Sequence, residues 1–184
     1  SRGKPEAEVR ALVERWRSLA TSLDYTGPVC WQVKAGFTLK HQAPKAGPCH
    51  KDFSYLQSWD FPDEPTKDSL VFWVPRFLKD STGKSVDEQM ALLADARKLY
   101  ELPDNHLASY GQASLLSGLI LAHFKATGER VPPHYLWTRT DTRYTDGDRL
   151  DLGSFDGGGL DCGYWDWDDG RHDDIGCFPL GVEI

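Results

Sequence analysis

Three Asp-Gly dipeptides, Asp146-Gly147, Asp156-Gly157 and Asp169-Gly170, punctuate the last third of this chain. A two-residue type I′ hairpin turn needs φ > 0 at both central positions, and Asp-Gly tolerates that backbone well. The segments around these turns have strand character: His134–Thr140, Arg149–Phe155, Leu160–Trp167 and Asp174–Val182. The pattern predicts an antiparallel C-terminal meander. The residues before it must then cover one face of that sheet.

Those upstream residues read as helix, strand, strand, helix, helix. Pro5 to Leu23 places Val9, Leu12, Val13, Trp16, Leu19, Ala20 and Leu23 at mostly three- and four-residue steps, an amphipathic helix. Residues 29–39 alternate, with Val29, Trp31, Val33, Ala35, Phe37 and Leu39 on one face and Cys30 on the polar one. Residues 41–52 read as a loop, and Leu70–Val74 as a short buried strand stopped by Pro75. Ser85 and Glu88 form a capping box for a helix reaching about Tyr100. A second helix is expected from about Asp104 to Gly128, apolar almost all round from Ala113 to Phe124. Its polar residues make it too short for a membrane span, which leaves the role of central buried helix. Segregated helices and strands define an α+β class. The expectation is one domain over residues 1–184, an antiparallel sheet of five or six strands covered by the two-helix segment 85–127.

The chain of 184 residues carries a net charge of −7, unevenly spread. Residues 141–184 hold twelve acids against three bases, a balance of −9. Such a surface repels phosphate, so neither nucleic acid nor an anionic membrane is expected as a partner. Four cysteines and no C-x-x-C pair argue against a disulfide scaffold or a zinc ribbon. With no visible signal peptide, the sparse cysteine usage favours a soluble, cytoplasmic protein.

A two-residue loop at Asp169-Gly170 would fix a register. Asp168 then lies opposite Arg171, Trp167 opposite His172, Asp166 opposite Asp173, Trp165 opposite Asp174, and Cys162 opposite Cys177. Like charges at Asp166 and Asp173 repel across a strand pair, and a bound Ca²⁺ would relieve them. Asp166 and Asp173 are therefore the candidate metal ligands, although no D-x-[DN]-x-[DN]-G loop is present. Cys162 and Cys177 are expected to be reduced neighbours; as zinc ligands they would need Cys49 and His50 as well. A nucleophilic reading centres on Cys30, with His134 and Asp141 downstream in the order used by papain-like enzymes. Those enzymes place the cysteine at a helix N-terminus, whereas Cys30 falls in a strand pattern. No Walker A sequence or G-x-G-x-x-G exists, and Gly157-Gly158-Gly159 is a turn between strands. No cofactor is implied.

Seven Trp and seven Tyr are many for a chain of this size. Trp165 and Trp167 share a strand face, with Asp174, His172, Asp173 and Asp166 around them. Aromatic faces beside carboxylates suit a cationic protein or small molecule. The favoured function is a non-enzymatic binding domain with an acidic, aromatic-rich meander surface. The alternatives are a Cys-His hydrolase or transferase at Cys30 and a metal-binding domain on the acidic hairpins. The sequence does not specify an oligomeric state.

Overall fold

A computed structural model describes residues 3–184. The fold is α+β. Helix α1 (Glu6–Ser22) leads to strand β1 (Cys30–Val33), a short helix α2 (Ala43–Ala46) and a 3-10 stretch over His50–Ser58. Strand β2 (Ser69–Trp73), helix α3 (Val86–Leu99) and helix α4 (Ala113–Thr127) follow. The chain ends with β3 (Trp137–Arg143), β4 (Arg149–Asp156), β5 (Gly159–Asp166), β6 (Ile175–Gly176) and β7 (Leu180–Glu183). Among the described residues, no helix is long and apolar enough to cross a membrane.

The helices begin and end where local chemistry directs. Pro5 precedes α1, and Glu6 and Glu8 lie in its first turn, near the positive end of the helix dipole. The Ser85 hydroxyl accepts from the Glu88 amide at 3.3 Å, closing the N-terminus of α3. Gly128 ends α4 at φ 75°, donating its amide to Phe124. Helix α4 starts at Ala113 rather than Asp104. Leu107 and Gly111 have φ of 50° and 86°, which helix cannot use. The Tyr110 and Gly111 amides donate to Asp141, and Leu107 donates to Leu180, so this backbone serves other partners.

Among the described residues there are two sheets, not one. The first has the order β1-β2-β7, the second β5-β4-β3-β6. Strand β2 separates two cores. Val71 and Trp73 pack with Leu116, Ile120, Leu150 and Leu152; Phe72 and Val74 pack with Trp16, Leu19, Leu93 and Tyr110. The two helices predicted to lie together on the meander therefore divide. Helix α4 fills the first core, against the second sheet, with eight of its fifteen residues buried. Helix α3 joins α1 in the second core. Strand β1 stops at Val33 instead of reaching Leu39, because Gly36 turns at φ 99° and Ala35 donates to Asp68.

The meander holds for its first two turns. Strands β3 and β4 are antiparallel around Asp146-Gly147, with Gly147 at φ 96°. Strands β4 and β5 are antiparallel around Asp156-Gly157, where the Asp156 carboxylate accepts from the Gly158 amide at 2.7 Å. The third turn is a correction. Asp146, Asp156 and Asp169 all lack positive φ, so none of the three turns is type I′. What sets Asp169-Gly170 apart is that, among the described residues, β5 pairs with β4 alone, so no strand returns beside it and no hairpin forms. After β5 the chain crosses the sheet and returns as β6, parallel to β3. Pro179, with no amide to donate, then separates β6 from β7, which joins the other sheet beside β2. The facing pairs built on that hairpin do not exist. Cys162 lies opposite Leu152 in the first core, and Cys177 lies in the second, donating its amide to Ser81.

Candidate functional site

The second sheet has one face on the α4 core and a second, outer face. Cross-strand partners share a face, so the register defines two rows on the outer side. One is Trp137–Gly153–Asp161 and the other Arg139–Asp151–Gly163. The glycines leave room for rings. The Trp165 indole lies over Gly163, where any Cβ would collide with the ring. Gly153 lets the Leu136–Trp137 backbone approach closely, with the Trp137 indole 3.0 Å from where a Cβ would stand. The two indoles meet edge to face at 4.9 Å.

Beneath and beside these rings lies a buried charge cluster. Arg139 is fully buried and spends all five of its N–H groups. Its guanidinium donates to both Asp166 oxygens at 2.7 and 3.0 Å, to the Lys84 carbonyl at 2.9 Å, to Gln89 at 3.1 Å and to the Gly170 carbonyl at 2.8 Å. This last bond explains the failed hairpin: the 167–174 segment folds over the outer face and delivers a carbonyl to Arg139. Asp151, opposite Arg139, is also fully buried, and neither carboxyl oxygen has a hydrogen-bond partner. Burial, reinforced by the Asp166 charge, pushes its pKa well above the usual carboxylate range.

The residues chosen from sequence separate on this framework. Trp165 and Trp167 stay 46% and 62% exposed, and Asp173 and Asp174 are exposed. Asp166 is not at the surface and does not face Asp173; Arg139 neutralises it. His172 is half-buried, its Nε2 3.9 Å from Asp166. Asp168 pairs with Arg143 and Arg149, and the Arg143 hydrogen bond holds its pKa below the ordinary value. Among the described residues, no group of three or more His, Cys, Asp or Glu side chains is placed to hold a metal ion.

The residues of the nucleophilic reading are not brought together. Cys30 lies in β1 of the first sheet, opposite Phe72, and burial pushes its thiol up. Asp141 caps the Tyr110 and Gly111 amides at 3.1 and 2.8 Å. His134 sits at the far end of the second sheet, 3.2 Å from Asp156 and 3.5 Å from the Ser154 hydroxyl. Both contacts use Nδ1, whereas a Ser-His-Asp relay needs the acid and the serine on different ring nitrogens. Cys49 is pushed up to about 12, chiefly by burial, as is Cys177. No thiol here has the cationic surroundings that generate a thiolate.

Sequence reasoning missed the cleft around His134. It measures about 510 Å³ and is lined by His50, Ser154, Asp156 and Asp161. Tyr55 donates to the Asp161 carboxylate. The three-glycine turn, which lets β4 and β5 reverse beside His50, is its one sequence signal. Comparison with protein-family models, with curated proteins and with solved structures finds no match. The class of the protein is therefore defined by its own architecture: a two-sheet α+β fold with an aromatic outer face.

Proposed function

We propose that this protein is a non-enzymatic binding domain whose outer face takes a cationic ligand, a lysine- or arginine-rich protein segment or a small cation. The observation that carries the reading is the exposure of Trp165 and Trp167 on the face that the Asp169–Asp174 segment crosses, where the Asp174 carbonyl accepts from the Trp137 amide and Trp137 packs on Trp165. Tyr135, Tyr164, Trp165 and Trp167 are four of the six large hydrophobic residues left exposed. Trp165 is held over Gly163, so its ring enters a complex already ordered, which lowers the entropic cost of binding. Asp169, Asp173 and Asp174 are exposed and form no ion pair among the described residues. A cation gains from both groups: from the π face of an indole and from a carboxylate nearby.

The test is titration with a lysine-rich peptide and with a quaternary ammonium ion at two salt concentrations. Trp165→Ala should weaken binding by about tenfold, a hot-spot loss. Asp173→Asn with Asp174→Asn should reduce the salt dependence. Asp166 is left unaltered because its loss would unseat Arg139. Unchanged affinity in both variants, with the fold intact, refutes the reading.

A further inference from the structure

An apolar cavity lies away from the aromatic face, in a groove between β1, α2 and α4. It measures about 540 Å³, within the range of about 300–1,000 Å³ typical of small-molecule sites. Trp31 and Val33 from β1, Phe37 from the turn after it, and Leu115 and Leu119 from α4 form its walls. Trp31 is braced edge to face on buried Trp73 at 5.7 Å. Gly118 lets the Phe37 ring pack close against α4, its edge 3.4 Å from where a Cβ would stand.

The charge on this groove has one sign. Lys34, Lys45 and Lys125 line it, contributed by three separate parts of the chain. No Asp or Glu lines it, although acids outnumber bases by 28 to 21 in the whole protein. None of the three lysines forms an ion pair among the described residues. The neutral polar groups are already engaged. Gln32 donates to the Ser69 carbonyl, the Thr66 hydroxyl donates to the Lys34 carbonyl, and Gln42 accepts from Thr38. Nearby Asp68 is held by the Ala35 amide. The ammonium groups are thus the free polar handles on an apolar trough.

We propose that this groove binds a small anionic amphiphile, an apolar chain or ring system ending in a carboxylate. The apolar body lies against Phe37 between Trp31 and Leu115, and the carboxylate meets the lysines. An ammonium–carboxylate contact beside apolar walls is stronger than the same contact in open water. The site is independent of the outer aromatic face.

The experiment is calorimetric titration with decanoate below its micelle concentration, with decanol and decyltrimethylammonium as neutral and cationic controls. Wild-type protein should bind decanoate saturably and prefer it to both controls. Lys34→Gln/Lys45→Gln/Lys125→Gln should weaken decanoate by about tenfold or more, the loss of a charge-assisted contact. Gly118→Leu should abolish binding by pushing the Phe37 ring out into the groove, and Trp165→Ala should leave it unchanged. The lysine variant alters only exposed side chains and keeps the test valid if the glycine variant misfolds. Absence of saturable decanoate binding overturns the proposal. So does equal binding of decyltrimethylammonium, or decanoate affinity that survives the lysine substitutions.

Discussion

Strand β2 and strand β4 occupy the middle of their sheets and are both buried, yet they bury opposite chemistry. In β2, Val71 and Trp73 face one core and Phe72 faces the other, so burial is apolar on both sides. In β4, Leu150 and Leu152 face the α4 core, while Arg149 and Asp151 lie buried on the other side with Arg139 and Asp166. Apolar burial is non-directional and needs only shape. Buried charge needs a complete set of partners, or its desolvation dominates. Arg139 has that set, whereas Asp151 has no hydrogen-bond partner, and burial raises its pKa, favouring the neutral form. The difference teaches that this sheet is closed by a guanidinium and a crossing loop rather than by a layer of hydrophobic side chains.

Breaking that closure should give the largest effect. Arg139→Ala strands the Asp166 charge and three other acceptors, and should cost about 3–5 kcal/mol in denaturant unfolding. The double variant Arg139→Met/Asp166→Leu should cost less than Arg139→Met alone, because no unpaired charge remains. A double variant that costs the sum of its singles would show that the two side chains are not coupled and overturn the contrast. On the apolar side, Leu116→Ala or Ile120→Ala in α4 should each cost about 2–5 kcal/mol. Both side chains are fully or nearly fully buried against β2 and β4. Midpoints barely moved would place α4 outside the cooperative core.

The raised pKa of Asp151 gives a smaller, pH-dependent contrast. Its folded pKa is raised, so the folded state keeps a proton that the unfolded chain releases. Stability from this group is complete below the ordinary Asp pKa of about 3.9 and falls as pH rises from there toward the raised value. Asp151→Asn cannot ionise. The stability difference between variant and wild type should therefore grow in the variant's favour as pH rises from about 4. Parallel pH profiles would show Asp151 titrating normally and remove the contrast between the two strands. The smallest effect concerns the groove. Gly118→Ala should stabilise α4 by up to about 1 kcal/mol, since its φ is not positive and its added Cβ makes an ordinary contact with Phe37. A loss of stability would mean that Phe37 cannot yield.

Much of the local structure was legible in the residues. Apolar steps of three and four marked α1, and a run apolar almost all round marked α4 though not its start. The Ser85–Glu88 box marked the start of α3, and two Asp-Gly turns marked the β3–β4 and β4–β5 hairpins. These features depend on a few neighbouring residues, and local sterics and hydrogen bonds decide them. The exposed indoles of Trp165 and Trp167 were singled out from the same local pattern.

What needed the tertiary structure was every feature that depends on residues distant in the chain. Asp169-Gly170 has the composition of the two hairpin turns, but Arg139 lies thirty-one residues away and takes the Gly170 carbonyl. That contact turns a hairpin into a crossover, and with it moves Asp166 from surface to interior and separates Cys162 from Cys177. The division into two sheets follows from Pro179 and from β2, which offers β7 an antiparallel partner. The lysine-rimmed groove collects side chains from positions 34, 45 and 125, whose spacing follows no period. Turns and amphipathic faces are set by short-range geometry that composition records. Partner choice for a buried charge or a free strand edge is set by which of several competitors arrives, and only the folded chain decides that.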